Sequence, residues 1–201
     1  MRKLVTVSFV TLDGIMQAPG GPGEDDSGGF QSGGWSFHYW DDMMGKDVDE
    51  TFAKKPDLLI GRKTYEIFAG YWPNHRDEPG ADNLNGAKKY VVSRTLDKVD
   101  WENSSLIKGD AVKEITKLKE MDGPELQVHG SINLIQTLLK HNLVDEMKML
   151  IFPVAIGNGK RMFGGEINPT GFKLLNSKIS TTGVIIATYE PVGALKTGSF
   201  G

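Results

Sequence analysis

The chain has no cysteine among its 201 residues. That excludes a disulfide framework, a thiol nucleophile and a thiolate metal site, and it fits a reduced, cytoplasmic setting. No apolar stretch nears the roughly 20 residues of a membrane-spanning helix. The N-terminal apolar segment is short, alternates with hydroxyls and lacks a small-residue cleavage site, so it does not read as a signal peptide. Positive charge is not in excess either. Lys and Arg number 23 against 26 Asp and Glu, a formal net charge of −3, which argues against a general nucleic-acid binder. The four histidines, His38, His75, His129 and His141, are scattered. No H-E-x-x-H, G-x-S-x-G or Walker spacing occurs, so no metal site, serine elbow or P-loop is expected.

What is present is an ordinary globular composition, 39% apolar and 24% charged, in a length that suits one domain. Residues 1–192 read as that domain and 193–201 as a C-terminal tail. Glycine is the exception: 25 of 201, roughly 12% where about 7% is usual. The excess is concentrated in residues 19–34. A loop this long inside one domain is a linker or a functional loop or lid. Phe30, Trp35, Phe37, Tyr39 and Trp40 crowd its far end, which favours the lid, because flexible linkers rarely carry large apolar groups.

Strand and helix signals alternate along the chain. Leu4 to Val10 reads as a strand. Asp41 to Lys55 reads as a helix whose Met44, Val48 and Phe52 share one face, stopped at Pro56. Leu58-Leu59-Ile60 is a buried strand running into a helix at Gly61, and residues 74–86 read as a surface excursion. Lys89 to Arg94 is a strand, and Val112, Ile115 and Leu118 lie on a helix ended by Gly123-Pro124. Leu126 to Ser131 is a strand giving way to a helix, and residues 145–156 are strand-rich. The segments 172–180 and 184–190 form a terminal hairpin. This order predicts a three-layer α/β/α domain with a mostly parallel central sheet and antiparallel C-terminal strands.

In such sheets ligands lie beyond the carboxyl ends of the strands, where helix N-termini offer free N–H groups. Three turns have that form. Gly61-Arg62-Lys63-Thr64 combines close backbone approach, two cations and a hydroxyl, and suits phosphate; it also reads as a capped helix with two solvated cations. His129-Gly130-Ser131-Ile132-Asn133 opens a helix directly after a strand in the manner of a pyrophosphate cradle, although Ser131 also reads as a plain N-cap. Ser93-Arg94-Thr95 can grip a phosphate monoester, with a bidentate arginine, or be an ordinary strand end. Three such turns at one sheet edge suggest a long ligand with several phosphates, such as a dinucleotide. The third would read a 2′-phosphate, favouring NADPH over NADH. Hydride transfer asks for neither a protein nucleophile nor a metal, because the cofactor carries the reactive bond.

These residues resemble the dihydrofolate reductase-like superfamily. Within it they are similar to the stand-alone bacterial proteins related to the reductase domain of the bifunctional riboflavin-biosynthesis deaminase-reductase. The likeness runs through residues 8–14, 24–35, Gly61-Arg62-Lys63-Thr64-Tyr65-Glu66, 91–96, Gly130-Ser131, 143–146 and 153–159 with Phe163. It implies an NADPH-dependent reductase, a small-molecule substrate and a homodimer. It puts the adenosine 2′-phosphate near Arg62, Lys63, Ser93 and Arg94, the pyrophosphate over Gly130, Ser131 and Ile132, and the nicotinamide near Gly14 and Ile15. The acid that folate reductases carry on their first helix would correspond to Asp41 or Asp42, which also read as a simple helix start. Trp35 would stack on a flat substrate ring. The likeness departs at Arg76-Asp77-Glu78-Pro79-Gly80-Ala81, where the riboflavin reductases have Asp-Asp-Pro-x-Leu-Thr, and this argues against a ribosyl-pyrimidine substrate. The expectation is therefore reduction of a small pterin-like or pyrimidine-like heterocycle. The alternatives are a non-catalytic nucleotide-binding module on the same fold, and dihydrofolate reduction itself.

Overall fold

The computed structural model describes residues 1–165 and 167–200. Its strands are β1 (Leu4–Thr11), β2 (Asp57–Gly61), β3 (Lys89–Val92), β4 (Ser104–Ile107), β5 (Leu126–His129), β6 (Glu146–Phe152), β7 (Thr170–Ile179) and β8 (Ile185–Ala194). The helices are α1 (Asp42–Ala53), α2 (Arg62–Tyr71), α3 (Ala81–Gly86), α4 (Ala111–Glu120) and α5 (Ile132–Lys140). Among the described residues the strands form one eight-stranded sheet in the order β4-β3-β2-β5-β1-β6-β8-β7. Every pairing from β4 to β6 is parallel, and β8 and β7 run antiparallel. The sheet is thus mostly parallel with antiparallel C-terminal strands, as the alternation of elements predicts.

Parallel strands are covered on both faces and read as continuous apolar runs. On one face α4 and α5 lay Ile115, Leu118, Leu134, Ile135, Leu138 and Leu139 over Leu4, Leu59, Leu126, Val128 and Met147. On the other, Phe52, Tyr65 and Leu84 from α1, α2 and α3 cover Leu58, Ile60 and Val91. Further along this face Met44 covers Val7, Leu150 and Phe152. The four-residue spacing of Met44, Val48 and Phe52 therefore marks the inward face of α1. Between these apolar clusters lies a buried ion pair, Asp47 Oδ2 to Lys148 Nζ at 2.5 Å. Thr51 Oγ1 accepts from the same ammonium at 2.6 Å. Among the described residues no helix is long and apolar enough to cross a membrane.

The structure departs from the sequence reading in two places. Residues 74–86 are not only a surface excursion: α3 buries Ala81, Leu84 and Asn85. Asn85 accepts from the Trp101 indole at 2.8 Å and donates to the Trp72 carbonyl at 3.0 Å, so a polar side chain there works as an internal connector. The short strand β4 has no sequence signal of its own. The glycine-rich loop is folded rather than linker-like. Gln17 donates to the carbonyls of Asp25 and Ser27 at 2.9 Å each, and Phe30 is buried beside Ile15 and Ala18. Gly159 lies against this ring: a Cβ there would fall 2.9 Å from Phe30 Cε2, at a φ of 129° that L side chains rarely adopt.

Candidate active site

The carboxyl ends of β1, β2, β3 and β5 open into one cleft of about 800 Å³. Its walls include Gly61, Arg62, Lys63 and Thr64; Ser93, Arg94 and Thr95; and His129, Gly130, Ser131, Ile132 and Asn133. The three turns singled out in the sequence thus share one cavity. The chain enters α5 through two successive left-handed residues, Gly130 (φ 55°) and Ser131 (φ 49°). Glycine adopts this region freely, whereas serine does so at a cost of about 1–2 kcal/mol. The Ser131 hydroxyl does not cap its own helix. Instead it accepts from the Gly61 N–H at 2.9 Å and meets Thr64 Oγ1 at 2.9 Å, while the Ser131 N–H donates to Thr64 Oγ1 at 3.0 Å. The starts of α2 and α5 are tied together in this way, and neither has a side-chain cap. Their first-turn N–H groups have no intrahelical acceptor, so they and the helix dipoles favour an anion between them.

The cations of the cleft are segregated. Arg62, Lys63 and Arg94 stand at the ends of β2 and β3; Arg62 reaches Glu66 at 3.2 Å, and Lys63 and Arg94 have no carboxylate partner among the described residues. At strand spacings near 4.8 Å, β3 lies about 14 Å from β1. At the β1 end the walls are Phe9, Met16, Ala18 and Pro19, while Phe68 of α2 packs on the β2–β3 side with Leu58, Ile60 and Val91. The cation at the β1 end, Lys160, is held by Asp25 Oδ2 at 2.6 Å and Ser27 Oγ at 2.6 Å. Burial pushes the Asp25 carboxyl upward, but the hydrogen bonds from Lys160 and Ser27 outweigh it and hold Asp25 below its ordinary value. Glu24, also on this wall, is pushed up by burial, with the Gly20 and Gly21 N–H groups opposing. His129 lies between the two ends. Its ring stacks on Phe52 with centroids 5.5 Å apart, and Nε2 is 3.0 Å from Gln127 Oε1. Since the Gln127 amide donates to Glu125 at 2.6 Å, its oxygen faces the imidazole and Nε2 carries the proton. Burial, then the nearby Lys148, lowers the His129 pKa to about 4, so the imidazole is neutral at pH 7.

Four candidate residues lie off this cleft. Asp41 caps α1: its Oδ1 accepts from the Met44 N–H at 3.0 Å, and its Oδ2 accepts from the Thr181 N–H and hydroxyl at 2.8 and 2.7 Å. It therefore joins α1 to the β7–β8 turn and is a helix start, not an acid in the cleft. Trp35 donates its indole N–H to the Gln17 carbonyl at 2.8 Å and packs edge-on against Phe152, which makes it a strut of the loop. Trp40, 47% exposed, does not line the cleft but stands 6.1 Å from the ring of Phe9, which does. Ile15 is fully buried against Phe30. Gly14 turns away into a separate hollow of about 380 Å³ with Leu12, Asp13, Arg161 and Phe163. The chain reverses at residues 11–14, so Met16 to Pro19 reach the cleft in their place.

A family model for the RibD C-terminal domain matches residues 2–186. The chain belongs to the RibD C-terminal domain family. The chain is 30% identical over 195 residues to the uncharacterized protein YyaP of Bacillus subtilis, covering 94% of this chain and 95% of YyaP. To the uncharacterized protein YwjB of the same organism it is 26% identical over 179 residues, 88% and 91% of the two chains. Among solved structures, a putative riboflavin biosynthesis protein from Shewanella sp. PV-4 superposes with a TM-score of 0.72 at 23% identity, covering 95% of this chain and 99% of the other. Dihydrofolate reductase from Enterococcus faecalis, complexed with NADP(H) and RAB-propyl, superposes with a TM-score of 0.59 at 14% identity, covering 94% and 96%. The fold of the chain is dihydrofolate reductase-like. Of the residues at the β1 end, Glu24 and Asp25 lie in the segment 24–35 that carries the resemblance but without an assigned role, and Gln17 and Lys160 lie outside the segments that carry it. Asp25 and Lys160 meet across 135 positions of sequence, a distance that no motif spans.

Proposed function

We propose that this protein is an NADPH-dependent reductase that transfers a hydride to a small flat heterocycle, pterin-like or pyrimidine-like. One observation carries the reading: a single cleft joins an anion-receptive end, with Lys63, Arg94 and two uncapped helix starts, to an apolar end walled by Phe9 and Met16. The residues fit a dinucleotide. At Gly130 a Cβ would approach Thr64 Oγ1 to 3.3 Å, so a bare backbone keeps the cradle open. When bound, NADPH supplies the hydride. Arg62, Lys63, Ser93 and Arg94 would hold the 2′-phosphate, and the first turns of α2 and α5 the pyrophosphate. Family membership supports the reductase reading, as does a neighbour described as a pyrimidine reductase-like protein from Corynebacterium diphtheriae.

Titration of the tryptophan fluorescence tests this. NADPH is expected to quench at micromolar concentration and NADH more weakly; equal response would remove the 2′-phosphate argument. A charge-assisted contact is worth about 1.5–3 kcal/mol, so Arg94→Ala is expected to weaken NADPH roughly 10- to 100-fold and NADH little. A second reading, a nucleotide-binding module without turnover, is favoured by the position of Asp41 outside the cleft. NADPH oxidation against dihydrofolate, aminouracil ribotides and flavins separates the two, because a binder saturates without consuming NADPH. The same position of Asp41 weighs against dihydrofolate reduction, which methotrexate sensitivity would detect.

The homodimer remains part of the proposal. Ile179 and Ile185 pair across β7 and β8, the last two strands at one edge of the sheet, and stand 66% and 38% exposed. Exposed apolar edges of this kind are usually covered. Sedimentation of the chain and of Ile179→Glu is expected to give a dimer and a monomer.

A further inference from the structure

We infer that the ring bound at the β1 end of the cleft is uncharged, carrying neither phosphate nor carboxylate. This rests on the cofactor reading above only for the occupant of the other end. The β1 end offers apolar and aromatic surface from Phe9, Met16, Ala18 and Pro19. Trp40, half exposed, stands beside Phe9 without lining the cleft. Flat rings gain from such surfaces by stacking as well as by burial.

An anion gains nothing comparable. Arg62, Lys63 and Arg94 belong to β2 and β3, two to three strand spacings from β1, about 10–14 Å away. Lys160, the cation at the β1 end, is engaged by Asp25 and Ser27. The imidazole of His129 is uncharged at neutral pH, for burial and Lys148 both oppose its protonation. The remaining charged groups on that wall, Glu24 and Asp25, are carboxyls. A phosphate or carboxylate bound there would lose its hydration, face two acidic side chains and find no free cation among the described residues of the wall. Burying a charge without a partner is strongly unfavourable. The charge distribution at this end therefore points away from a phosphorylated ring.

Two matched pairs test the inference: pterin against pterin-6-carboxylate, and riboflavin against its 5′-phosphate. Each is titrated into the full chain by ligand fluorescence, with and without saturating NADP⁺. Within each pair the uncharged member is expected to bind at least tenfold tighter. Equal or tighter binding of the anionic members overturns the inference, and so does failure of both uncharged members to bind. Loss of NADP⁺ binding with the ring preference intact would sink the cofactor reading alone. Asp25→Asn supplies a second measurement. Freeing Lys160 is expected to bring the anionic member of each pair within a fewfold of its partner, with folding verified by circular dichroism. An unchanged tenfold gap in that variant overturns the role given to the Lys160–Asp25 pair.

Discussion

His129 is the group whose environment translates most directly into a measurable number. Its ring is stacked on Phe52, bonded through Nε2 to Gln127 and close to Lys148. Burial first, and Lys148 second, lower its pKa from 6.5 to about 4. The unfolded chain therefore takes up this proton below pH 6.5, while the folded chain refuses it until about pH 4. Across that window the unfolded state binds more protons, so stability falls as the pH falls. The contribution is fully present above 6.5 and gone below about 4. At 1.36 kcal/mol per pH unit it amounts to about 3 kcal/mol. Urea unfolding of the wild type and of His129→Gln, at steps across this range, isolates it. Glu24, which burial pushes the opposite way, is common to both proteins and cancels in the difference. The wild type is expected to lose about 3 kcal/mol relative to the variant between the ends of the window. Parallel curves would refute the argument that this imidazole is neutral and desolvated, and with it one support for an uncharged ring beside it.

Two other substitutions probe the scaffold that holds the cleft. Gly159→Ala would drive a Cβ to 2.9 Å from Phe30 and 3.1 Å from Ile15, at a φ of 129°. Overpacking and backbone strain together amount to about 3 kcal/mol, a fall in Tm of roughly 6–12 °C for a domain of this size, read by differential scanning calorimetry. Lys148→Met leaves Asp47 buried without its ammonium 2.5 Å away, and Lys178, at 3.8 Å, replaces it only in part. Breaking such a pair costs about 3–5 kcal/mol. Chemical unfolding is expected to show that loss and its substantial recovery in Asp47→Leu/Lys148→Met.

The elements that the sequence makes legible are those whose determinants are local. Gly61 to Thr64 and Gly130 to Ser131 stand out because a strand, a glycine and a hydroxyl meet within a few residues, and helix-start chemistry is written at that scale. Asp41 is readable as a cap for the same reason, since its carboxylate serves the Met44 N–H three residues on. Trp35 and Trp40 are not distinguishable in this way. Both lie in one aromatic run, and what separates them is an acceptor on Gln17 and a neighbour on β1. Lys160 and Asp25 are hidden by their separation, and α3 by a polar composition that conceals Asn85 working inside the protein.

The topology explains why the two ends of the cleft differ chemically. The connection from β1 to β2 leaves one strand position vacant, and β5 fills it about 70 residues later. Ligands in doubly wound sheets collect at such a switch. Here the switch puts His129 and the start of α5 between residues from the two halves. On the β2–β3 side each strand end leads into a turn that carries a cation, Arg62 and Lys63 after β2 and Arg94 after β3. On the β1 side the chain leads instead into a glycine-rich loop whose Asp25 carboxylate engages Lys160, with Glu24 lining the cleft beside it. Charge of one sign therefore accumulates at one end and is neutralised at the other. A ligand with both phosphates and a neutral ring matches that gradient, and a second molecule set against the ring meets only the neutral part.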